Sequence, residues 1–190
     1  MSSSIKFYKP EPDIIPLNLE NYPHLVDSDL FKILRHLPPM TEEGPWVAGG
    51  ALWRTINKEP LVNCDIDVFF KSKSQFEEMS RKMNSLPYVN NVISENRGKW
   101  NTNYQYHVNE GKKFNKTVDI QFVNTNRYSS IIKLLNSFDF TVCQFGWDGK
   151  NIYTGPSSID DLTKKLIVFY SSLPEESLCL LGLRCGWGIR

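Results

Sequence analysis

This sequence predicts an α+β fold: a mixed-sheet α/β sandwich whose central β-sheet is flanked by helices. Three observations carry the prediction. Short stretches of β-branched and aromatic residues alternate along the chain with short stretches of helical periodicity. Hairpin signals at Asn109-Glu110-Gly111 and Asp148-Gly149 interrupt that alternation, which excludes a purely parallel sheet. The composition is that of an ordinary globular chain: 190 residues, 41% hydrophobic, 23% charged and 13% aromatic. Such a chain suits one domain with at most a small appendage.

The elements follow in order. Residues 1–23 carry Pro10, Pro12, Pro16 and Pro23 and read as an extended arm lying on the domain. Leu30, Ile33, Leu34 and Leu37 share a helix face that Pro38-Pro39 terminates. Pro45 to Ala48 reads as a strand entering Gly49-Gly50, and Ala51 to Asn57 as a short helix. Asp65 to Phe70 is a strand by its content. Ser74-Gln75-Phe76-Glu77 is a capping box for a helix with Phe76, Met79, Met83 and Leu86 on one side. Strands follow near Tyr88–Ser94, Asn103–Val108 and Lys116–Val123. Tyr128, Ile131, Ile132 and Leu135 mark a further helix. Phe138 to Trp147 is apolar and β-rich and turns at Asp148-Gly149 into Asn151–Thr154. Ser157-Ser158-Ile159-Asp160 is another capping box, and Pro174 suits the first turn of a last helix. The domain proper is expected over 24–156, with 157–190 as a helical extension packed on it.

Net charge is +1, so binding nucleic acid through bulk charge alone is excluded and any such contact must be local. The sequence has no run of 18 apolar residues and no apolar leader, and a cytoplasmic protein without membrane partners is expected. Cys64, Cys143, Cys179 and Cys185 form no CxxC pair and lie away from His24, His36 and His107, so neither disulfides nor zinc is indicated.

The chemistry concentrates in Val47-Ala48-Gly49-Gly50-Ala51-Leu52-Trp53-Arg54 and Asp65-Ile66-Asp67-Val68-Phe69-Phe70. Two glycines between a strand and a helix allow close backbone approach by a ligand, at a helix start that favours phosphate. Asp65 and Asp67 stand two apart on a strand, so both carboxylates face one way. Side by side they repel, and a divalent metal removes that repulsion; Mg²⁺ prefers carboxylates together with substrate phosphate oxygens. In Thr117-Val118-Asp119-Ile120-Gln121-Phe122-Val123, the apolar face is Val118, Ile120 and Phe122, while Asp119 and Gln121 point the other way. If this strand lies beside the Asp65 strand, three carboxylates converge. Such a set suits two metals roughly 3.5–4 Å apart and in-line displacement at phosphorus.

Gly49-Gly50, then Asp65-x-Asp67, then Asp119 resembles the polymerase-beta nucleotidyltransferase superfamily, whose signature has those three elements in that order. The wording Gly-Gly-Ala…Asp-Ile-Asp looks most like the head domain of the CCA-adding and poly(A) polymerase branch. Arg54 falls one place later than that branch's helix arginine. Phe138-Asp139-Phe140-Thr141-Val142-Cys143-Gln144 is similar to a segment of small, often phage-encoded, nucleotidyltransferase-like proteins, which would put the protein in a host cytoplasm. Together the matches cover roughly residues 45–145.

The resemblance implies transfer of a nucleoside monophosphate from a nucleoside triphosphate to an acceptor hydroxyl, with release of pyrophosphate. Asp65 and Asp67 would hold two Mg²⁺ (or Mn²⁺) ions, and Asp119 would ligate the catalytic one and help deprotonate the acceptor. Gly49 and Gly50 would contact the triphosphate through backbone amides, and Arg54 through its guanidinium. An RNA 3′ end, a protein hydroxyl and a small molecule all stay open as acceptors, and the preferred base is not legible. Two further readings stand beside this one. The first is an inactive nucleotide- or nucleic-acid-binding module on the same fold, since little sequence after residue 157 remains for an acceptor-holding domain. The second is an interaction protein whose carboxylates are incidental.

Arg97, Lys99, Lys112, Lys113 and Lys116, with Trp100, Tyr104, Tyr106 and Phe114 interleaved, make a basic aromatic hairpin. It reads either as a contact for triphosphate or nucleic acid by charge and stacking, or as a solvated hairpin with its aromatics in the core. Asp139 reads as structural, Lys164 and Lys165 as a charged helix face, Cys143 as core, and His107 as surface.

Overall fold

The computed structural model describes residues 13–62, 64–83, 85, 89–97, 101–109, 115–168 and 188–189. In chain order these form β1 (Ile15–Pro16), α1 (Asp29–Leu34), β2 (Trp46–Ala48), α2 (Gly50–Ile56), β3 (Ile66–Phe70), α3 (Lys73–Met83) and β4 (Val89–Arg97). There follow β5 (Asn101–Asn109), β6 (Asn115–Arg127), α4 (Ile131–Asn136), β7 (Phe145–Trp147), β8 (Ile152–Thr154), α5 (Ser158–Lys164), β9 (Leu166–Ile167) and β10 (Gly188–Ile189). The main sheet has the order β1-β8-β7-β2-β3-β6-β5-β4, and β9 pairs separately with β10. Within the main sheet β3 and β6 pair in parallel, and the other neighbours pair antiparallel. This is the mixed sheet with helices expected from the alternation and the hairpin signals.

The strands bury side chains on both faces. On one, Val47, Ile66, Val68, Phe70, Ile120, Phe122 and Tyr104 pack with Leu30, Ile33 and Leu34 of α1, with Ala51, Leu52 and Ile56 of α2, and with Met79 and Met83 of α3. On the other, Trp46, Ala48 and Phe69 pack with Ile131, Leu134 and Leu135 of α4, and Val123 joins them from β6. A side chain at Gly146 would start 3.0–3.1 Å from Ile131 and Leu135, so this glycine is what lets α4 rest directly on β7. The α4 cover ends at the level of Phe69 and Val123. The next positions along β3 and β6 on that face are polar, and the candidate site lies there.

Local chemistry moved several element ends. The cap of α3 is Ser72, whose Oγ accepts from Gln75 N at 3.1 Å, two residues before the Ser74 expected from the sequence. Helix α1 ends at Leu34, although Leu37 beyond it is buried as its spacing required. The β-rich stretch 138–147 yields only Phe145–Trp147 as a ladder strand. Before it, Thr141–Cys143 forms a 3₁₀ turn, held where Thr141 Oγ1 donates to Asp161 Oδ2 at 2.8 Å. The proline-bearing arm is described from residue 13 onward, where β1 lies along β8. The helix expected at Pro174 and the turn at Asn109-Glu110-Gly111 lie outside the described residues, apart from Asn109 at the end of β5.

Candidate active site

Strand β2 runs antiparallel to β3 with Ala48 opposite Asp67, which brings the glycine pair to the carboxylates. Gly49 has φ +91° and ψ −140°, a conformation side chains resist, and a side chain there would start 3.6 Å from Asp67 Oδ2. Gly49 therefore keeps the approach to Asp67 clear. Its N–H donates to Phe145 O at 2.9 Å, so this amide is committed to the sheet. What Gly49 offers the site in this arrangement is the absence of a side chain beside Asp67. Gly50 opens α2, and a side chain there would start 3.8 Å from Cys64 Sγ and 3.9 Å from Trp53 Nε1.

Asp65 is exposed and Asp67 half-buried, and alternation puts both on the face that α4 leaves open. Burial, reinforced by the neighbouring Asp65 carboxylate, pushes Asp67 up to about 7. An acid held so far above its ordinary value near 3.8 opposes its own ionisation in the folded state. Its contribution favours the fold below pH 4 and is lost as pH rises towards 7. Asp67→Asn is therefore expected to stabilise the metal-free protein at neutral pH by on the order of 2–4 kcal/mol, and to change little at pH 4. Thermal denaturation between pH 4 and 8 in EDTA checks this; an equal shift at both ends would contradict it.

Arg54, on α2, lies near Cys64, one residue before Asp65. Its guanidinium lies over the Trp53 ring at 4.8 Å and 3.7 Å from Glu59. The Cys64 thiol itself donates to Asp65 O at 3.4 Å. Burial raises the Cys64 thiol while Arg54 draws it down and the two aspartates raise it further. The net effect is upward, which keeps it protonated and unsuited to nucleophilic work.

Strand β6 lies beside β3, in register Ile66 to Ile120, Asp67 to Gln121 and Val68 to Phe122. Asp119, exposed, therefore sits on the neighbouring strand, one position before Ile120. The adjacency on which a three-acid site depends is present. Yet among the described residues no three His, Cys, Asp or Glu side chains gather as a metal-holding group. Asp65, Asp67 and Gly49 are brought together; Asp119 is brought to the same neighbourhood and stops short of that. The hard oxygen donors of Asp65 and Asp67, with Asp67 unwilling to ionise unaided, fit a divalent cation such as Mg²⁺.

Trp53, Cys64 and Gln121 lie around this site, and none of them carries a role in the sequence motif. Trp53 had a readable signal, an aromatic in the first turn after the glycines. Cys64 and Gln121 enter through a pairing register that sequence alone does not display. In the basic hairpin, Tyr104 is buried against Phe122 and is thereby removed from any stacking role, and Lys116 ion-pairs with Asp29. The side chains of Arg97, Lys99, Trp100, Tyr106, Lys112, Lys113 and Phe114 lie outside the described residues, as does that of His107. Lys164 pairs with Asp160 one helical turn away, as a charged helix face would.

A family model described as Gabija anti-defense 2 family protein matches residues 24–165. No curated protein matches the chain. Among solved structures, a CCA-adding enzyme in complex with CTP is similar at 16% identity and a TM-score of 0.60, over 93% of this chain and 44% of that one. The Thermotoga maritima CCA-adding enzyme complexed with tRNA is similar at 16% identity and a TM-score of 0.57, over 93% and 43%. The chain thus spans less than half the length of these enzymes, and the likeness establishes a nucleotidyltransferase-type fold.

Proposed function

The chain belongs to the Gabija anti-defense 2 family, and from that premise we propose that it is a nucleotidyltransferase acting against the defence its family is named for. The observation that carries the reading is the pair Asp65 and Asp67, set beyond the α4 cover beside Gly49, where a side chain would start 3.6 Å from Asp67 Oδ2. In this reading a nucleoside triphosphate and an acceptor hydroxyl react at the α-phosphorus. The acceptor oxygen forms a bond to phosphorus, and the bond to the bridging oxygen breaks, its electron pair leaving with pyrophosphate.

Asp65 and Asp67 would hold Mg²⁺ or Mn²⁺, two ions in the full arrangement, and the bound metal supplies the positive charge that phosphoryl transfer needs. Gly49 leaves room for the phosphates to approach the acids. Arg54 turns from Glu59 to the triphosphate, and its guanidinium suits a phosphate's geometry. Asp119, exposed on the neighbouring strand, accepts the acceptor's proton. Most of the work is positioning and electrostatics. The CCA-adding enzymes of similar fold were solved with CTP and with tRNA, which supports a nucleotide substrate for this chain and leaves the acceptor open among RNA, protein and small molecule.

Binding without turnover is the second reading. It is favoured by the three acids not being gathered as a metal-holding group among the described residues. Incubation with Mg²⁺ and α-labelled nucleoside triphosphates, with RNA, proteins and nucleosides as acceptors, separates the two. Mg²⁺-dependent label on an acceptor supports transfer; tight nucleotide binding with no labelled product on any acceptor supports the binding module.

A further inference from the structure

A groove of about 290 Å³ opens between α1 and the β7–β8 hairpin, with Leu19, Phe31, Arg35, Trp147, Lys150 and Ile152 in its lining. Phe31, Trp147 and Ile152 belong to the cluster that holds Val68 and Phe70, whereas Asp67 shares its side of β3 with Phe69 of the other cluster. The groove and the carboxylates therefore occupy opposite faces of the sheet.

The walls of the groove are fixed from within. Asp148 is buried in the turn after Trp147. Its Oδ1 accepts from Lys150 N at 2.9 Å and Asn151 N at 2.6 Å, and its Oδ2 accepts from the Tyr153 hydroxyl at 3.0 Å. At Gly149, φ +93°, a side chain would start 2.1 Å from Met40 O, so the turn closes on the chain only as glycine. Across the groove, Ser28 caps α1 by accepting from Phe31 N at 3.4 Å, and Arg35 Nη2 donates to Val26 O at 2.6 Å. Phe31 and Trp147 meet edge-on with centroids 5.4 Å apart. A surface already held in one shape loses little freedom on binding.

The chemistry of this lining is one-sided. It is apolar apart from two exposed cations, Arg35 and Lys150, and it contains no acid. In a chain of net charge +1 that is a local departure. Arg35 spends one donor on Val26 O and keeps the rest of its fork for a carboxylate. The apolar surface also continues past the groove. Leu19 on its lip is 42% exposed, and Val26, whose carbonyl holds Arg35, is 62% exposed. A small anion would fill the groove and leave these two side chains in water. A stretch of polypeptide would cover them and meet both cations.

We propose that this groove docks an acidic linear segment of a partner protein. An aromatic anchor of that segment sits against Leu19, Phe31 and Trp147, and carboxylates flanking the anchor pair with Arg35 and Lys150. Such an anchor in a pocket is how a few residues supply most of an interface's binding energy. Docking on this face leaves the face of Asp65 and Asp67 open, so the assignment stands apart from the nucleotidyltransferase reading.

Fluorescence anisotropy of labelled peptides on the whole protein tests the assignment. The probe peptide carries one Trp with two acidic residues on either side. One control has lysines in place of the acids, and the other has alanine in place of the Trp. The probe is expected to bind at least about tenfold more tightly than either control, and to weaken as salt rises. Arg35→Glu combined with Lys150→Glu is expected to weaken the probe at least about tenfold, and Leu19→Ser about threefold. All three side chains are exposed, so the fold should survive these changes, and circular dichroism checks it. Arg81→Glu combined with Lys82→Glu, the same charge change on α3, is expected to leave the probe within about twofold, as is Asp65→Asn combined with Asp67→Asn. The proposal is overturned if the probe binds no more tightly than its controls, if reversing Arg35 and Lys150 changes nothing, or if replacing Asp65 and Asp67 abolishes binding. Indole-3-acetate is measured alongside; if it binds as tightly as the probe, the occupant is a small anion and the proposal fails.

Discussion

Replacing Asp65 and Asp67 together by Asn is expected to lower nucleotidyl transfer at least about a thousandfold while leaving the protein folded. Asn keeps the shape of each side chain and removes the charge that a divalent cation requires. Folding should tolerate the change because Asp65 is exposed and Asp67 is held as a reluctant acid by burial and by Asp65. Circular dichroism and thermal denaturation establish the fold, and label transfer from an α-labelled triphosphate establishes the activity. A loss of transfer together with a loss of fold would assign these acids to structure. Retained transfer would move the chemistry away from the β3 face.

The second large effect concerns the joint that brings β6 beside β3. Phe122 is fully buried, with ring centroids 5.1 Å from Phe70, 4.8 Å from Tyr104 and 6.2 Å from Phe76. These rings come from β3, β5 and α3, and all meet edge-on, the arrangement aromatic pairs prefer. Phe122→Ala opens a cavity at their centre and is expected to cost about 3–5 kcal/mol. In a chain of this size that lowers Tm by roughly 10 °C, read by thermal or chemical denaturation. The neighbours on the opposite side of the strand, Gln121 and Val123, ride on the same ladder, so the β6 flank of the site should loosen with it. A change below about 1 kcal/mol would mean that β6 is held by something other than this cluster.

The mixed sheet was readable because two local signals disagreed with a single simple topology: helices alternated with strands, yet hairpin turns intervened. The carboxylate pair was readable because Asp65, Asp67 and the buried Ile66 and Val68 obey period two. The glycine turn was readable because a strand ending in Gly49-Gly50 before a helical stretch has few other uses. What Gly49 does there was not, since the partner of its N–H, Phe145 O, lies on a strand distant in sequence. Register was the main thing hidden. Periodicity placed Asp119 and Gln121 on one face, but only pairing decides that Gln121 and not Asp119 stands opposite Asp67. Tyr104 is the complementary case: an aromatic among basic residues fits a stacking platform or the core equally well in sequence, and its strand neighbours decide for the core.

The function proposed for this protein requires the face bearing Asp65 and Asp67 to be a nucleotide site. A crystal structure with Mg²⁺ and an α,β-methylene nucleoside triphosphate tests that most directly. Metal is expected on Asp65 and Asp67, with phosphates running towards Gly50 and Arg54 and with Arg54 withdrawn from Glu59. Nucleotide bound elsewhere, with Asp65 and Asp67 free of metal, would contradict it.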